Sequence, residues 1–174
     1  VSIINTELGA VNIYLGKVYM GKTQGGCTWA IESDDKEITH DQDGTKPQNY
    51  FRTGKSHKIT TSLSQATIER LCLADNNFKS TALNQSLNFD ATLYQSAQSE
   101  CKTLVLEDIN DASATGRLLW YKARMKITGT VFEFGPDKQK VIPVEIMCFK
   151  DTTYNSFGYY GNPNSLGIGS IDGV

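Results

Sequence analysis

The residues that could do chemistry are few, and the most suggestive group lies near the start of the chain. Gly16-Lys17-Val18-Tyr19-Met20-Gly21-Lys22-Thr23 matches the phosphate-binding loop pattern letter for letter. Leu104-Val105-Leu106-Glu107-Asp108 resembles the strand-plus-acid that accompanies such loops. A phosphate loop needs a strand, a compact turn and a helix whose N-terminus faces the phosphates. Here Val18, Tyr19 and Met20 are strand formers, and Gln24-Gly25-Gly26 stands where the helix should begin. The chain also lacks repeated βα units, so this stretch reads as strand and nucleotide hydrolysis is not expected.

Asp41-Gln42-Asp43-Gly44 outlines a calcium loop but fails its test. With Gly44 at the sixth position the closing glutamate should fall at Tyr50, and with Asp41 first it should fall at Arg52. The motif reads as turn chemistry. Four cysteines, Cys27, Cys72, Cys101 and Cys148, are widely spaced, and the histidines are His40 and His57. A zinc site needs clustered thiolates or imidazoles. The cysteines instead lie in or beside apolar runs, as small buried hydrophobes of a reducing compartment do. Neither histidine has a visible nucleophile or carboxylate partner. No catalytic residue, cofactor site or metal site is expected.

The chain has 174 residues, enough for one domain with a real core. Its 17 basic residues against 19 acidic ones leave no excess to hold a phosphate backbone. No apolar run approaches a bilayer span. The start, Val1 to Glu7, has no basic region of the kind that opens a signal peptide.

The elements that would position these residues are mostly strands. Val11, Ile13 and Leu15 alternate on one face. Gly16 weakens or bulges that strand. Residues 17–23 are expected to pair with 27–33 across a tight turn at Gly25-Gly26, where glycine supplies positive φ. A long polar loop follows over 33–50. The 55–63 stretch alternates cleanly, with His57, Ile59, Thr61 and Leu63 on one face. A short helix is expected from a Ser64 cap to Ala74, burying Ile68, Leu71 and Cys72.

Residues 78–100 fit either a loop on the core or a weak strand pair. Residues 101–106 form an apolar strand. The strongest strand signal runs over 117–134, with Tyr121, Ala123, Met125, Ile127 and Val131 sharing a face. It turns at Gly135-Pro136 and returns over 139–150, where Pro143 belongs at an edge or bulge. Residues 1–151 therefore read as one β domain. Residues 152–174 are rich in glycine, asparagine, serine and tyrosine, and read as a C-terminal arm or tail.

The order of several motifs carries a resemblance. Gly16-Lys17-Val18-Tyr19-Met20-Gly21 comes first. Thr23-Gln24-Gly25-Gly26-Cys27-Thr28-Trp29 follows, then Asp41-Gln42-Asp43-Gly44-Thr45-Lys46-Pro47 and Thr53-Gly54. This series resembles the N-terminal half of bacteriophage major tail tube proteins, over about residues 11–74. It departs from their pattern at Thr45-Lys46-Pro47 and at Cys27.

The resemblance implies a mainly β fold, a tail-tube-type sandwich or half-barrel with one short flanking α-helix. It implies that six copies join into a ring with an inner β-barrel, and that rings stack into a hollow virion tail. That tube would conduct DNA during ejection into the host, without cofactor or catalysis. Tape measure, tail terminator and baseplate proteins would be its partners, with assembly in the host cytoplasm. The 32–50 loop would reach between stacked rings, making Asp35, Asp41, Asp43, Lys46 and Tyr50 the candidate inter-subunit residues. The alternative is a monomeric β-sandwich that binds carbohydrate or protein, with Tyr154, Tyr159 and Tyr160 available to stack on a ligand.

Overall fold

A computed structural model describes residues 11–38, 49–64, 67–75, 78–80, 87–89, 100–108, 117–130 and 141–161. The protein is mainly β, with one short helix. The strands are β1 (Val11–Leu15), β2 (Val18–Ile38), β3 (Asn49–Leu63), β4 (Phe78–Ser80), β5 (Leu87–Phe89), β6 (Lys102–Asp108), β7 (Arg117–Ile127), β8 (Ile142–Phe149) and β9 (Gly158–Tyr160). Helix α1 (Ile68–Ala74) lies between β3 and β4.

Seven strands form one antiparallel sheet in the order β6-β1-β2-β3-β8-β7-β9, and a further β6–β7 pairing curls it into a near-ring. Strands β4 and β5 form a separate pair, the second of the two expectations for that region. The core fills the ring. Ile13, Leu15, Met20, Ile59, Leu104 and Ile146 are fully buried; β1 and β8 alternate inward and outward, whereas β6 is buried without a break from Leu104 to Glu107. Ile59, Thr61 and Leu63 are buried on one face of β3, as the alternation of that stretch requires.

The first hairpin differs from expectation. Its turn is Gly16-Lys17, both at positive φ, and β1 pairs with 18–22. Gly25-Gly26 is not a turn. It lies within β2, a single strand of 21 residues, where two extra residues bulge between the Thr23–Leu63 and Cys27–Thr61 pairs. Both glycines have positive φ, and Thr61 Oγ1 donates to the Gly26 carbonyl at 2.9 Å. Positive φ serves a bulge as well as a hairpin turn, so the glycines alone could not decide between them.

A second bulge resets β7. Lys102 pairs with Ala123 but Leu104 with Trp120, which gives β7 one extra residue. Trp120 and Ala123 therefore both point inward, and the face expected to run through Tyr121 shifts at that point. β7 ends at Ile127; residues 131–140 lie outside the described residues. Pro143 sits second in β8, opposite Ser62, and its carbonyl accepts from Thr128 N as the β7 ladder stops.

The helix cap also moves. Thr67 caps α1, its side chain accepting from Arg70 N at 3.3 Å. Ser64 Oγ instead donates to Lys22 O at 3.0 Å, which ties the end of β3 to β2. Leu71 and Ala74 are buried, while Cys72 is half-buried. With only seven residues, α1 depends on this packing and not on its own propensity. Among the described residues no helix is long and apolar enough to cross a membrane.

Candidate functional site

The feature that stands apart from the ring is a two-stranded ribbon. β1 covers one edge of β2 only as far as Lys22, and β8 covers one edge of β3 only from His57 onward. Beyond those points β2 and β3 continue together, from Ile31–His57 out to Ile38–Asn49. Among the described residues both outer edges of this extension carry unpaired backbone. Such edges invite pairing with another chain.

A bulge at Thr53 divides the ribbon, because Asp34 pairs with Gly54 and Asp35 with Arg52. Thr53 Oγ1 donates to Asp34 O at 3.1 Å across the bulge. The register places Asp35, Glu37, Tyr50 and Arg52 on the face that continues from Trp29 and Ile31. Lys36 and Phe51 fall on the other. Three large apolar or aromatic side chains are open to solvent here: Ile31 at 57%, Tyr50 at 56% and Phe51 at 55%.

Of the residues expected at the ring-stacking loop, Asp35 and Tyr50 share the same ribbon face. Both lie in strand, because β2 extends to Ile38 and β3 starts at Asn49, well inside the expected 33–50 loop. Asp41, Asp43 and Lys46 lie outside the described residues, as does His40. Asp35 pairs with Arg52 at 3.6 Å, with both side chains about half exposed, so the pair adds little stability. Ile31 and Phe51 were not singled out from the sequence. Ile31 continues the Cys27-Trp29 alternation, and only the point where β1 and β8 stop covering the strands leaves it bare.

An aromatic cluster anchors the ribbon to the ring. Trp29 and Trp120 meet edge to face at 5.3 Å. His57 lies 5.6 Å from Trp29 and stacks on Phe157 at 4.5 Å. Trp120 Nε1 donates to His57 Nδ1 at 3.3 Å. Burial, and then the nearby Lys55 charge, hold the imidazole below its usual value. On the opposite face Lys58 Nζ meets Glu145 at 2.9 Å, and that hydrogen bond holds the ammonium above its usual value.

The matched phosphate-loop letters span the Gly16-Lys17 turn and the start of β2. Lys22 is exposed and pairs with Asn12, and β2 continues where a helix would be required. The thiols are free; burial pushes Cys27 up to about 11 and Cys148 up to about 12. Among the described residues no group of His, Cys, Asp or Glu is placed to hold a metal.

No known family profile matches this chain, and no curated protein matches it. Function must therefore be argued from the ribbon and the cluster at its base.

Proposed function

We propose that this chain is a structural protomer of a tail tube, assembling as hexameric rings that stack into a conduit for DNA ejection. One observation carries the reading. Among the described residues the β2–β3 ribbon leaves the ring with both outer edges unpaired, and it exposes Ile31, Tyr50 and Phe51. A lone soluble protein normally blunts or covers such edges, whereas a closed ring of copies satisfies them. Among the described residues the sheet's own edges are largely consumed by the β6–β7 pairing, and beside the three-residue β9 the ribbon is the longest edge left to join neighbours. Its residues, Asp35 and Tyr50 among them, supply the inter-subunit contacts in this reading. The motif order along residues 11–74 supports the same family.

The ribbon is testable directly. A variant carrying Tyr50→Ser and Phe51→Ser should stay monomeric in sedimentation velocity at concentrations where the unaltered protein assembles. Its stability should change by no more than about 0.5 kcal/mol, because both side chains are exposed. Assembly equal to that of the unaltered protein would remove the ribbon from the interface.

A second reading, a monomeric binding module, draws on a different surface. A pocket of about 520 Å³ is lined by Tyr14, Tyr121, Lys17 and Lys122 among others. Tyr154 beside it is 48% exposed, but its ring is already stacked on Tyr121 at 4.5 Å. That stacking commits one ring face internally and leaves less for a sugar. A glycan array binding at this pocket, with no assembly at any concentration, would favour the module.

A further inference from the structure

His57 sits where the ribbon leaves the ring. Its partner on β8 is Cys148, and after Phe149 the chain leaves the ladder, turns through 150–157 and returns as β9 on β7. Three elements meet on this one imidazole. Trp120 of β7 donates to Nδ1 at 3.3 Å, Trp29 of β2 flanks the ring, and Phe157 of the returning segment stacks on it, tilted by only 8°. A ring accepting at Nδ1 is neutral and carries its proton on Nε2. Protonation would place an N–H on both nitrogens, so that the Trp120 donor would face another donor.

The surroundings offer a charged ring nothing in exchange. On its own strand the same face carries Lys55. Arg52 lies further out and is held by Asp35 of β2. β2 otherwise presents Trp29 and Ile31, and β7 presents Trp120 and Ala123. β8 presents the Cys148 thiol, which burial keeps neutral, and Lys150 follows it. Asp151 in the returning segment is already held by Lys122 at 3.5 Å and by the backbone N–H groups of Thr153 and Tyr154. Asp35 and Asp151 are thus held by other partners, and Glu37 lies six residues beyond Ile31 along β2, at the far end of the ribbon.

The returning segment is thinly attached. β9 has three residues, flanked by Tyr121 N donating to Phe157 O and Gly161 N donating to Arg117 O, each at 3.0 Å. Trp29 Nε1 is buried with no hydrogen-bond partner, so the cluster is already imperfectly satisfied. We infer that residues 151–161 form a pH-operated latch. Protonation of His57 breaks its bond to Trp120, frees Phe157 and lifts β9 from β7, baring the strand edge at Leu118, Leu119 and Trp120. The latch belongs to the protomer and stands whether or not the chain assembles.

Amide hydrogen exchange across about pH 8 to about pH 5, corrected for intrinsic rates, tests it. Protection at Tyr121 and Gly161 should fall by up to about tenfold per pH unit between the ordinary pKa of the released ring and the lowered pKa of the latched ring, as one-proton linkage requires. Ile59 and Ile146, in the β3–β8 ladder, should keep theirs. His57→Phe keeps a ring to stack but does not titrate, and should hold protection level. Trp120→Phe removes the bond that protonation breaks, and should flatten the fall of protection with pH. Level protection in the unaltered protein would overturn the latch. So would an unaltered slope in Trp120→Phe, an equal fall in His57→Phe, or a loss that reaches Ile59 and Ile146.

Discussion

At the scale of single residues, His57 links packing to solution conditions. Its folded pKa lies below the ordinary imidazole value of 6.5, so the unfolded chain binds its proton first as pH falls. The stability contributed by the neutral ring is therefore fully present above 6.5. It is lost as pH falls from there toward the lowered folded value. Urea unfolding midpoints measured between about pH 8 and about pH 5 should decline over that window. In His57→Phe the decline should be smaller by the share that His57 carries. Equal slopes in the two proteins would contradict the buried, neutral histidine. Its inward position was legible in the alternation with Ile59, Thr61 and Leu63. Its partners were not, since Trp120 and Phe157 lie 63 and 100 residues further along the chain.

At the scale of elements, local pattern was informative and local punctuation was not. The inward face of β3 and the C-terminal end of α1 at Ala74 follow from periodicity. The first hairpin was misplaced because Gly16 and Gly25-Gly26 both offer positive φ, and only cross-strand register tells a turn from a bulge. The cap was misplaced because Ser64 and Thr67 can both accept from a helix N-terminus, and Ser64 is engaged by Lys22. β9 was hidden inside a glycine- and tyrosine-rich stretch. Gly158 explains how that stretch can dock: a Cβ there would collide with the Leu119 carbonyl. Gly158→Ala should detach β9 and remove protection at Tyr121 and Gly161 near neutral pH, while Ile59 and Ile146 stay protected. Retained protection at Tyr121 and Gly161 would show that β9 tolerates a side chain at this position. Gly25→Ala meets no neighbour, so its cost should be backbone strain alone, about 1–2 kcal/mol.

At the scale of the whole molecule, the decisive pairings are the least local ones. β1–β6 joins Val11 to Asp108 and β3–β8 joins His57 to Cys148, and no pattern in these strands names its partner; the short-range β6–β7 ladder then curls the sheet into a near-ring. The ribbon is what remains outside the ring: among the described residues, strand length in excess of what β1 and β8 cover. That excess is the physical basis for the tube proposal. Copies joined through it should bury roughly 2,000 Å² or more per obligate interface, so assembly should be collective and concentration-dependent. Negative-stain microscopy of the purified protein over a concentration series tests this most directly. Stacked annuli or hollow filaments with a bore of about 20 Å or more, wide enough for duplex DNA, are expected. Small globular particles at every concentration, even with an initiating baseplate complex added, would contradict the tube proposal.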